Sequence, residues 1–276
     1  MYKSFTPSEL ETRTLHGYLL TAVAPRPIAL ASTINEKGNV NLSPFSFFNV
    51  FSANPPIMIF SPARRVKDNT TKHTLENVLE TKEVVINIVS YDIVQQMSLS
   101  STEYAEGINE FEKAGFTQVN SDNVKPPRVG ESKVAFECKV NEVIQLGNQG
   151  GAGNLVICEV VKFHIKEEVL NEEGNIDPLK MDLVGRMGGM YYNSTFDASL
   201  FTIPKPLAAL GVGFDQLPKE IRESTILSGN DLAMLANVEK IPSKKEANDR
   251  SIIEKHQKAK ELLAEKKVEE AWQVLL

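Results

Sequence analysis

At 276 residues the chain has the length of about two domains of roughly 150 residues each, or of one large β-domain with an appendage. A composition of 42% hydrophobic and 24% charged residues excludes collagen-like, disordered and coiled-coil chains. A net charge of -6 and a pI near 5.4 argue against a nucleic-acid or anionic-membrane partner. No apolar run reaches the roughly 18 residues that span a bilayer. The opening Met1-Tyr2-Lys3-Ser4-Phe5 lacks the basic-then-apolar layout of a secretory signal, so a cytoplasmic protein is expected.

In chain order, residues 28–34, 56–60 and 84–89 are short β-branched runs closed by polar or turn residues, and they read as strands. Asn35-Glu36-Lys37-Gly38-Asn39 reads as a hairpin turn, with Gly38 able to take positive φ. Residues 74–81 and 107–114 read as helices. Phe136, Cys138 and Val140 alternate with Glu137, Lys139 and Asn141, as in a half-buried antiparallel strand. Val161, Phe163 and Ile165 alternate in the same way with Lys162, His164 and Lys166. The cluster Gly147-Asn148-Gln149-Gly150-Gly151-Ala152-Gly153 between these strands reads as a mobile hairpin loop. A symmetric hairpin about it would set Cys138 opposite Cys158; in a cytosolic setting two small buried hydrophobes are favoured over a redox pair. Many short strands with few long helices point to a sandwich or barrel.

Pro204-Lys205-Pro206 marks a boundary between a domain of residues 1–203 and a helical C-terminal extension, 204–276. The first holds 18 Lys+Arg against 24 Asp+Glu, and the second holds 12 of each, so all the net charge lies in the first. Ser228 is placed to cap a helix through Asp231 to Ala236. Residues 251–265 and 268–276 read as an αα-hairpin, with Ile252, Ile253, His256, Ala259, Leu262 and Leu263 on one face and Trp272 and Leu275 closing on it. One helix pair is not a repeat array; a cap on the barrel or on a dimer partner is the expectation.

The chain contains no G-x-x-x-x-G-K-[ST], H-E-x-x-H, C-x-x-C or G-x-S-x-G. The glycine cluster joins two strands, whereas a dinucleotide-binding turn leads into a helix. Histidines at 16, 73, 164 and 256 are too scattered for metal-ligand spacing, and no metal site is assigned. The chemistry concentrates between residues 41 and 77. Asn41-Leu42-Ser43-Pro44-Phe45-Ser46-Phe47-Phe48-Asn49 combines hydroxyls, amides and aromatics. Residues 61–74 then carry four cations, one acid and four hydroxyl side chains and lead into a helix. Cations, hydroxyls and helix N–H groups are what a phosphate monoester needs. A solvated turn with threonine caps is the alternative that composition leaves open.

Pro25-Arg26-Pro27-Ile28-Ala29-Leu30, the 41–49 stretch and Asn54-Pro55-Pro56 resemble the opening of the flavin reductase-like, FMN-binding split-barrel family. Lys72-His73-Thr74 with Asn77 and Val85-Ile86-Asn87 is similar to its K-D-T…N…V-V-N-I segment. Asn109-Glu110-Phe111-Glu112, Pro126-Pro127-Arg128-Val129 and Phe136-Glu137-Cys138 follow in family order, and Arg186-Met187-Gly188-Gly189-Met190-Tyr191 resembles the closing R-x-G-G-x-Y. The likeness covers about residues 12–195. It implies a mainly β, Greek-key split barrel that binds FMN and forms a homodimer, with the helical tail outside the match. His73 stands where aspartate is usual, and the 64–71 loop is long and polar, which draws phosphate contacts into it.

The site this implies is a cofactor-binding one, without an acid–base dyad, since hydride transfer is the flavin's own chemistry. Thr33, Asn41, Ser43, Phe45, Ser46, Phe47 and Ser61 are expected to bind the cofactor, its ring lying against residues 43–47. Arg64, Arg65, Asn69, Thr70, Thr71, Lys72 and Thr74 are expected around its phosphate. Arg186 and Tyr191 are expected to reach across from the partner subunit. Arg26 and Arg186 read either as anion ligands or as members of local ion pairs. The function implied is an NAD(P)H-dependent flavin reductase that serves a monooxygenase or another acceptor. The alternative is a non-catalytic FMN carrier, redox or scaffold protein with the tail as its docking surface.

Overall fold

The period-two pattern of the first half becomes one antiparallel sheet in the computed structural model, which describes residues 1–195, 199–203, 210–245 and 250–276. The strands are β1 (Ala29–Ile34), β2 (Val40–Phe45), β3 (Phe48–Ala53), β4 (Pro56–Phe60), β5 (Glu83–Ile88), β6 (Gln118–Val119), β7 (Arg128–Val129), β8 (Val134–Gln145), β9 (Asn154–Ile165), β10 (Val184–Arg186) and β11 (Tyr192–Ser194). The main sheet runs β2-β1-β5-β8-β9-β4-β3; β6 pairs with β7, and β10 with β11. Around it lie α1 (Thr12–Ala22), α2 (His73–Thr81), α3 (Val94–Leu99), α4 (Glu110–Ala114) and α5 (Pro178–Met181). The chain divides into two compact units, Met1–Phe201 and Thr202–Leu276. The Pro204-Lys205-Pro206 join lies outside the described residues.

Alternation decides what each strand buries. One face of β1 gives Ala29 and Ala31 to a core shared with Phe45, Phe60, Val84, Ile86 and Val156. Its other face gives Leu30, which packs with Leu42 against Met97 and Phe111 of α3 and α4. Asn87, fully buried on β5, donates to the Leu30 carbonyl at 3.0 Å and accepts from the Val129 N–H at 2.9 Å, so both the nitrogen and the oxygen of this polar side chain have a partner.

The long β8–β9 hairpin departs from the symmetric form the sequence suggests. Its loop end pairs Gln145 with Asn154, and with irregularities at Glu137/Cys138 and Val140/Glu142 further along, Cys138 faces Val160 and Cys158 faces Val140. Both cysteines are free and fully buried. A hydrogen bond to Cys158, then burial, pushes the Cys138 thiol well above its ordinary pKa, away from the reactive thiolate. Helix α1, which sequence reasoning missed although Leu15, Tyr18, Leu19 and Ala22 recur at helical spacing, buries none of its residues. Among the described residues no helix is long and apolar enough to cross a membrane.

The second unit is helical: α6 (Lys219–Arg222), α7 (Gly229–Ala236), α8 (Ile252–Ala264) and α9 (Val268–Leu275). Capping boxes Ser228/Asp231 and Ser251/Glu254 start α7 and α8. Trp272 is fully buried, and its indole N–H donates to the Leu235 carbonyl at 3.1 Å within a core that includes Leu217, Ile221, Leu232 and Leu263. His256, Ala259, Leu262 and Leu263 form the buried face of α8, but Ile252 and Ile253 stay exposed in its first turn.

Ser224 and His256 form a pH-sensitive pair in this unit. Ser224 Oγ accepts the Ile226 and Leu227 N–H groups at 3.1 Å, so its own hydrogen points to His256 Nδ1, 2.8 Å away. That arrangement needs neutral imidazole. Burial pushes the His256 pKa down, against a smaller raising effect of Glu220. The unfolded chain therefore binds the proton more readily. The stability the pair contributes is fully present above about pH 6.5 and declines as the pH falls through that value towards the lowered folded one. Trp272, the only tryptophan, reports on this unit alone. Its fluorescence should show a thermal midpoint that falls between neutral and mildly acid pH, and His256→Gln should flatten that dependence.

Candidate functional site

The residues singled out in the sequence fall into three groups, joined by hydrogen bonds. The first is the basic loop after β4. Arg64 turns back on its own loop, its Nε donating to Asn69 Oδ1 at 2.7 Å and its Nη2 to the Asn69 carbonyl at 2.6 Å. Arg65 donates to Thr70 Oγ1 at 2.9 Å, to the Thr71 carbonyl, and to Glu103 Oε1 at 2.7 Å. Asp68 accepts from the Thr70 N–H and hydroxyl, bonds that draw its pKa down. These contacts hold the loop folded and carry the chain to α2 with Lys72 at its N-cap.

The glycine cluster is docked on this loop. The Arg64 N–H donates to the Ala152 carbonyl at 2.8 Å, the Gly151 N–H to the Arg64 carbonyl at 3.0 Å, and Asn69 Nδ2 to the Asn148 carbonyl at 3.0 Å. The reading of a mobile loop is thus replaced by an anchored one. Glycine is required by proximity: a Cβ on Gly150 would lie 3.0 Å from the Arg65 carbonyl oxygen. Asn154, which sequence reasoning missed, completes the joint. Its backbone N–H donates to Ser61 Oγ at 3.0 Å and its Nδ2 to the Pro62 carbonyl at 2.8 Å. Ser61 is therefore a buried structural hydroxyl as the structure stands.

The second group pins α2 to the sheet. Asn41 Nδ2 donates to Thr74 Oγ1 at 2.9 Å, and Asn77 Nδ2 to Thr33 Oγ1 at 3.0 Å, all four side chains being buried. Thr71 Oγ1 donates to Glu76. Thr33, Asn41 and Thr74 thus fix the helix, and the helix presents Lys72. The Lys72 side chain cannot accept an N–H and makes no cap, so the N-terminal N–H groups of α2 have no side-chain acceptor. Lys72 Nζ lies 3.8 Å from Glu103 Oε1. Burial first, then the charge of Arg65, pushes the Lys72 pKa down, only partly offset by Glu103. Glu103, missed in the sequence because it lies 31 residues beyond Lys72, is the carboxylate both cations share.

The third group surrounds the β2–β3 turn. Ser43 is half-buried on β2, Phe45 lies in the core with its ring 5.4 Å from that of Phe60, and Phe47 is exposed beside His16. The Ser61 N–H donates to the Phe47 carbonyl at 2.8 Å, which joins this turn to the basic loop. Arg26 is buried behind it. Its Nε donates to Ser46 Oγ at 3.3 Å, its Nη2 to the Met187 carbonyl at 3.1 Å, and its Nη1 to the Val23 carbonyl at 2.6 Å and to the Leu20 carbonyl. It caps α1, and no carboxylate pairs with it among the described residues. Arg186 donates to the Tyr191 carbonyl at 2.9 Å and the Gly189 carbonyl at 2.6 Å, and lies over the Tyr192 ring. Tyr191 itself is exposed. The backbones of Arg26 and Arg186 pair with each other.

A family model described as "Flavin reductase like domain" matches residues 22–198. The chain belongs to this family. An uncharacterized protein of Aquifex aeolicus is 39% identical over 192 residues, 70% of this chain and 95% of that protein. One from Halalkalibacterium halodurans, BH2278, is 35% identical over 202 residues, 72% of this chain and 95% of its own length. Among solved structures, nitrilotriacetate monooxygenase component B from Bacillus cereus superposes with a TM-score of 0.68 at 27% identity, covering 74% of this chain and 99% of that one. The 2-nitrobenzoate 2-nitroreductase NbaA from Pseudomonas fluorescens gives 0.63 at 29%, over 76% and 100%. A split-barrel-domain protein from Shewanella frigidimarina gives 0.62 at 28%, over 74% and 100%. The fold is accordingly the mainly β split barrel of the flavin reductase-like family, and the match ends near residue 198, before the helical unit.

Arg26 is the joint of the β2–β3 turn, so removing it leaves several carbonyls without their donor. Arg26→Ala is expected to lose about 1.5–3 kcal/mol of stability, the range for hydrogen bonds to a charged group. Arg26→Lys should recover little, since one ammonium cannot reproduce the planar fork. Urea unfolding of the two variants measures both.

Proposed function

We propose that the protein is an FMN-dependent flavin oxidoreductase, reduced by NADH or NADPH and discharged by an acceptor outside the chain. The observation that carries the FMN reading is the uncapped N-terminus of α2, with Lys72 at its cap and Arg65 beside it against a single shared carboxylate, Glu103. Two half-buried cations and orphan helix N–H groups form a donor set that fits the dianionic terminus of a phosphate monoester. FMN carries that terminus; FAD has its phosphates in mid-chain. A bound flavin would supply the hydride chemistry. The chain's own part is to hold the phosphate at Arg65 and Lys72 and to seat the ring against residues 43–47, which Arg26 and Ser61 keep in place.

Several residues on our proposed flavin side are apolar and exposed. Val50 and Phe51 stand out from β3, an edge strand with an irregularity at Phe51, and Leu19 and Val23 from α1 and its end. An apolar edge strand calls for a cover, and a second copy of the chain supplies one. In this homodimer Tyr191 would wall the partner's flavin. The solved likenesses, a monooxygenase component B and a nitroreductase, support an acceptor that is either a partner monooxygenase or an aromatic substrate. Residues 204–276 would form a separate domain dispensable for flavin.

Lys72→Ala should weaken FMN by about 1.5–3 kcal/mol, the value of a charge-assisted hydrogen bond, and leave riboflavin almost unchanged. Equal losses for both ligands, measured by fluorescence titration, would place the phosphate elsewhere. Val50→Asp combined with Phe51→Asp should convert the sedimenting species from dimer to monomer; a wild type that is already monomeric and retains FMN would refute the shared wall.

A further inference from the structure

Glu103 is the carboxylate that Arg65 and Lys72 have in common, and its place in the chain sets it apart from both. It lies between α3 and α4, in a stretch without helix or strand. Among the described residues, the backbone bonds of that stretch are local turns: Thr102 to Leu99, Tyr104 to Thr102 and Ile108 to Ala105. The Glu103 side chain is 58% exposed, against 18% for Arg65 and 29% for Lys72. The cations are held and partly dry, and the acid reaches them from a solvated loop.

Only one Glu103 oxygen is engaged. Oε1 accepts the Arg65 Nε–H at 2.7 Å and lies 3.8 Å from Lys72 Nζ, and no hydrogen bond holds Oε2 among the described residues. The Arg65 bond draws the Glu103 pKa down, so the side chain is charged at neutral pH. The other acids nearby are tied elsewhere. Asp68 accepts twice from Thr70 of its own loop, and Glu76 accepts from Thr71. Glu103 can withdraw without disturbing Arg65, because Thr70 Oγ1 and the Thr71 carbonyl still hold its Nη1.

A phosphate monoester on Arg65 and Lys72 meets the same two cations. It carries a charge of about −1.5 to −2 at neutral pH, and a carboxylate on the same groups repels it. The two anions exclude each other. Resting on the FMN reading above, we propose that Glu103 is an internal competitor for the phosphate, which must leave Arg65 and Lys72 for FMN to be held and whose return helps to expel it. The phosphate prevails through its larger charge and the α2 N–H groups, which the carboxylate does not reach from its loop. Glu103 thereby lowers the affinity for FMN and makes the flavin exchangeable. Riboflavin has no phosphate and does not contest the cations, so its binding is independent of Glu103.

Glu103→Gln keeps the side-chain length and removes the charge. FMN and riboflavin are titrated into the full-length chain by fluorescence, with flavin release followed in a stopped-flow cell and Lys72→Ala measured alongside. FMN should bind about fivefold tighter to Glu103→Gln, the size of one exposed ion pair, through slower release and with riboflavin unchanged. If Lys72→Ala weakens FMN alone while Glu103→Gln leaves FMN unchanged or weaker, or tightens both ligands alike, the competitor role is overturned and the FMN reading stands. If neither variant separates FMN from riboflavin, the phosphate is not held at these cations, and the FMN reading falls together with this proposal.

Discussion

Two arginine side chains folded back on their own loop set the geometry on which the candidate site depends. Arg64 and Arg65 satisfy carbonyl and side-chain acceptors at Asn69, Thr70, Thr71 and Glu103, so the basic segment is a closed structure rather than a solvated turn. The glycine cluster seals it from β9, and the buried Asn41–Thr74 and Thr33–Asn77 pairs seat α2 behind it. What this arrangement leaves over is positive: a half-buried Lys72 that must share the one carboxylate of Glu103 with Arg65, and the first N–H groups of a helix without a side-chain cap. Burying cations costs free energy unless an anion meets them, which makes the arrangement more consistent with a ligand than with a purely structural purpose.

Much of the barrel was legible because alternation and turn chemistry are local signals. The Gly38 hairpin, the β4 and β5 runs and the capping serines Ser228 and Ser251 all correspond to elements of the structure. Other features depend on distant residues and carry no local trace. Helix α1 does carry a local trace, Leu15, Tyr18, Leu19 and Ala22 at helical spacing, but the run is short and none of that face is buried. The offset between Cys138 and Cys158 is set at the loop end, where Gln145 pairs with Asn154, a register that no residue type in the run announces. The glycine cluster reads as flexible by composition, yet Gly150 is required because its backbone passes within contact distance of the backbone of residues 65 and 66.

The same contrast holds at the candidate site. Residue types in the 61–74 stretch pointed to an anion, but their partners could not be read from it. Ser61 is engaged with Asn154, ninety-three positions away, and Glu103 is the counter-ion that makes sense of Arg65 and Lys72. Arg26, which the sequence offered as an anion ligand or an ion-pair member, pairs with no carboxylate among the described residues. It donates to carbonyls of α1 and of the 186–191 segment, and so ties the β2–β3 turn to both. Gly188 shows how tightly that joint closes, since a Cβ there would overlap Thr21.

The family shared with this chain places a flavin-handling fold around these residues, and the account rests on the claim that the flavin is a working electron carrier. The most direct test is anaerobic addition of NADH, then separately NADPH, to the FMN-loaded protein, with the flavin absorbance followed in a stopped-flow cell. The account predicts that at least one of them bleaches the flavin, at a rate no slower than steady-state turnover with excess FMN. A flavin that stays oxidised with both, while dithionite still reduces it, would contradict the account.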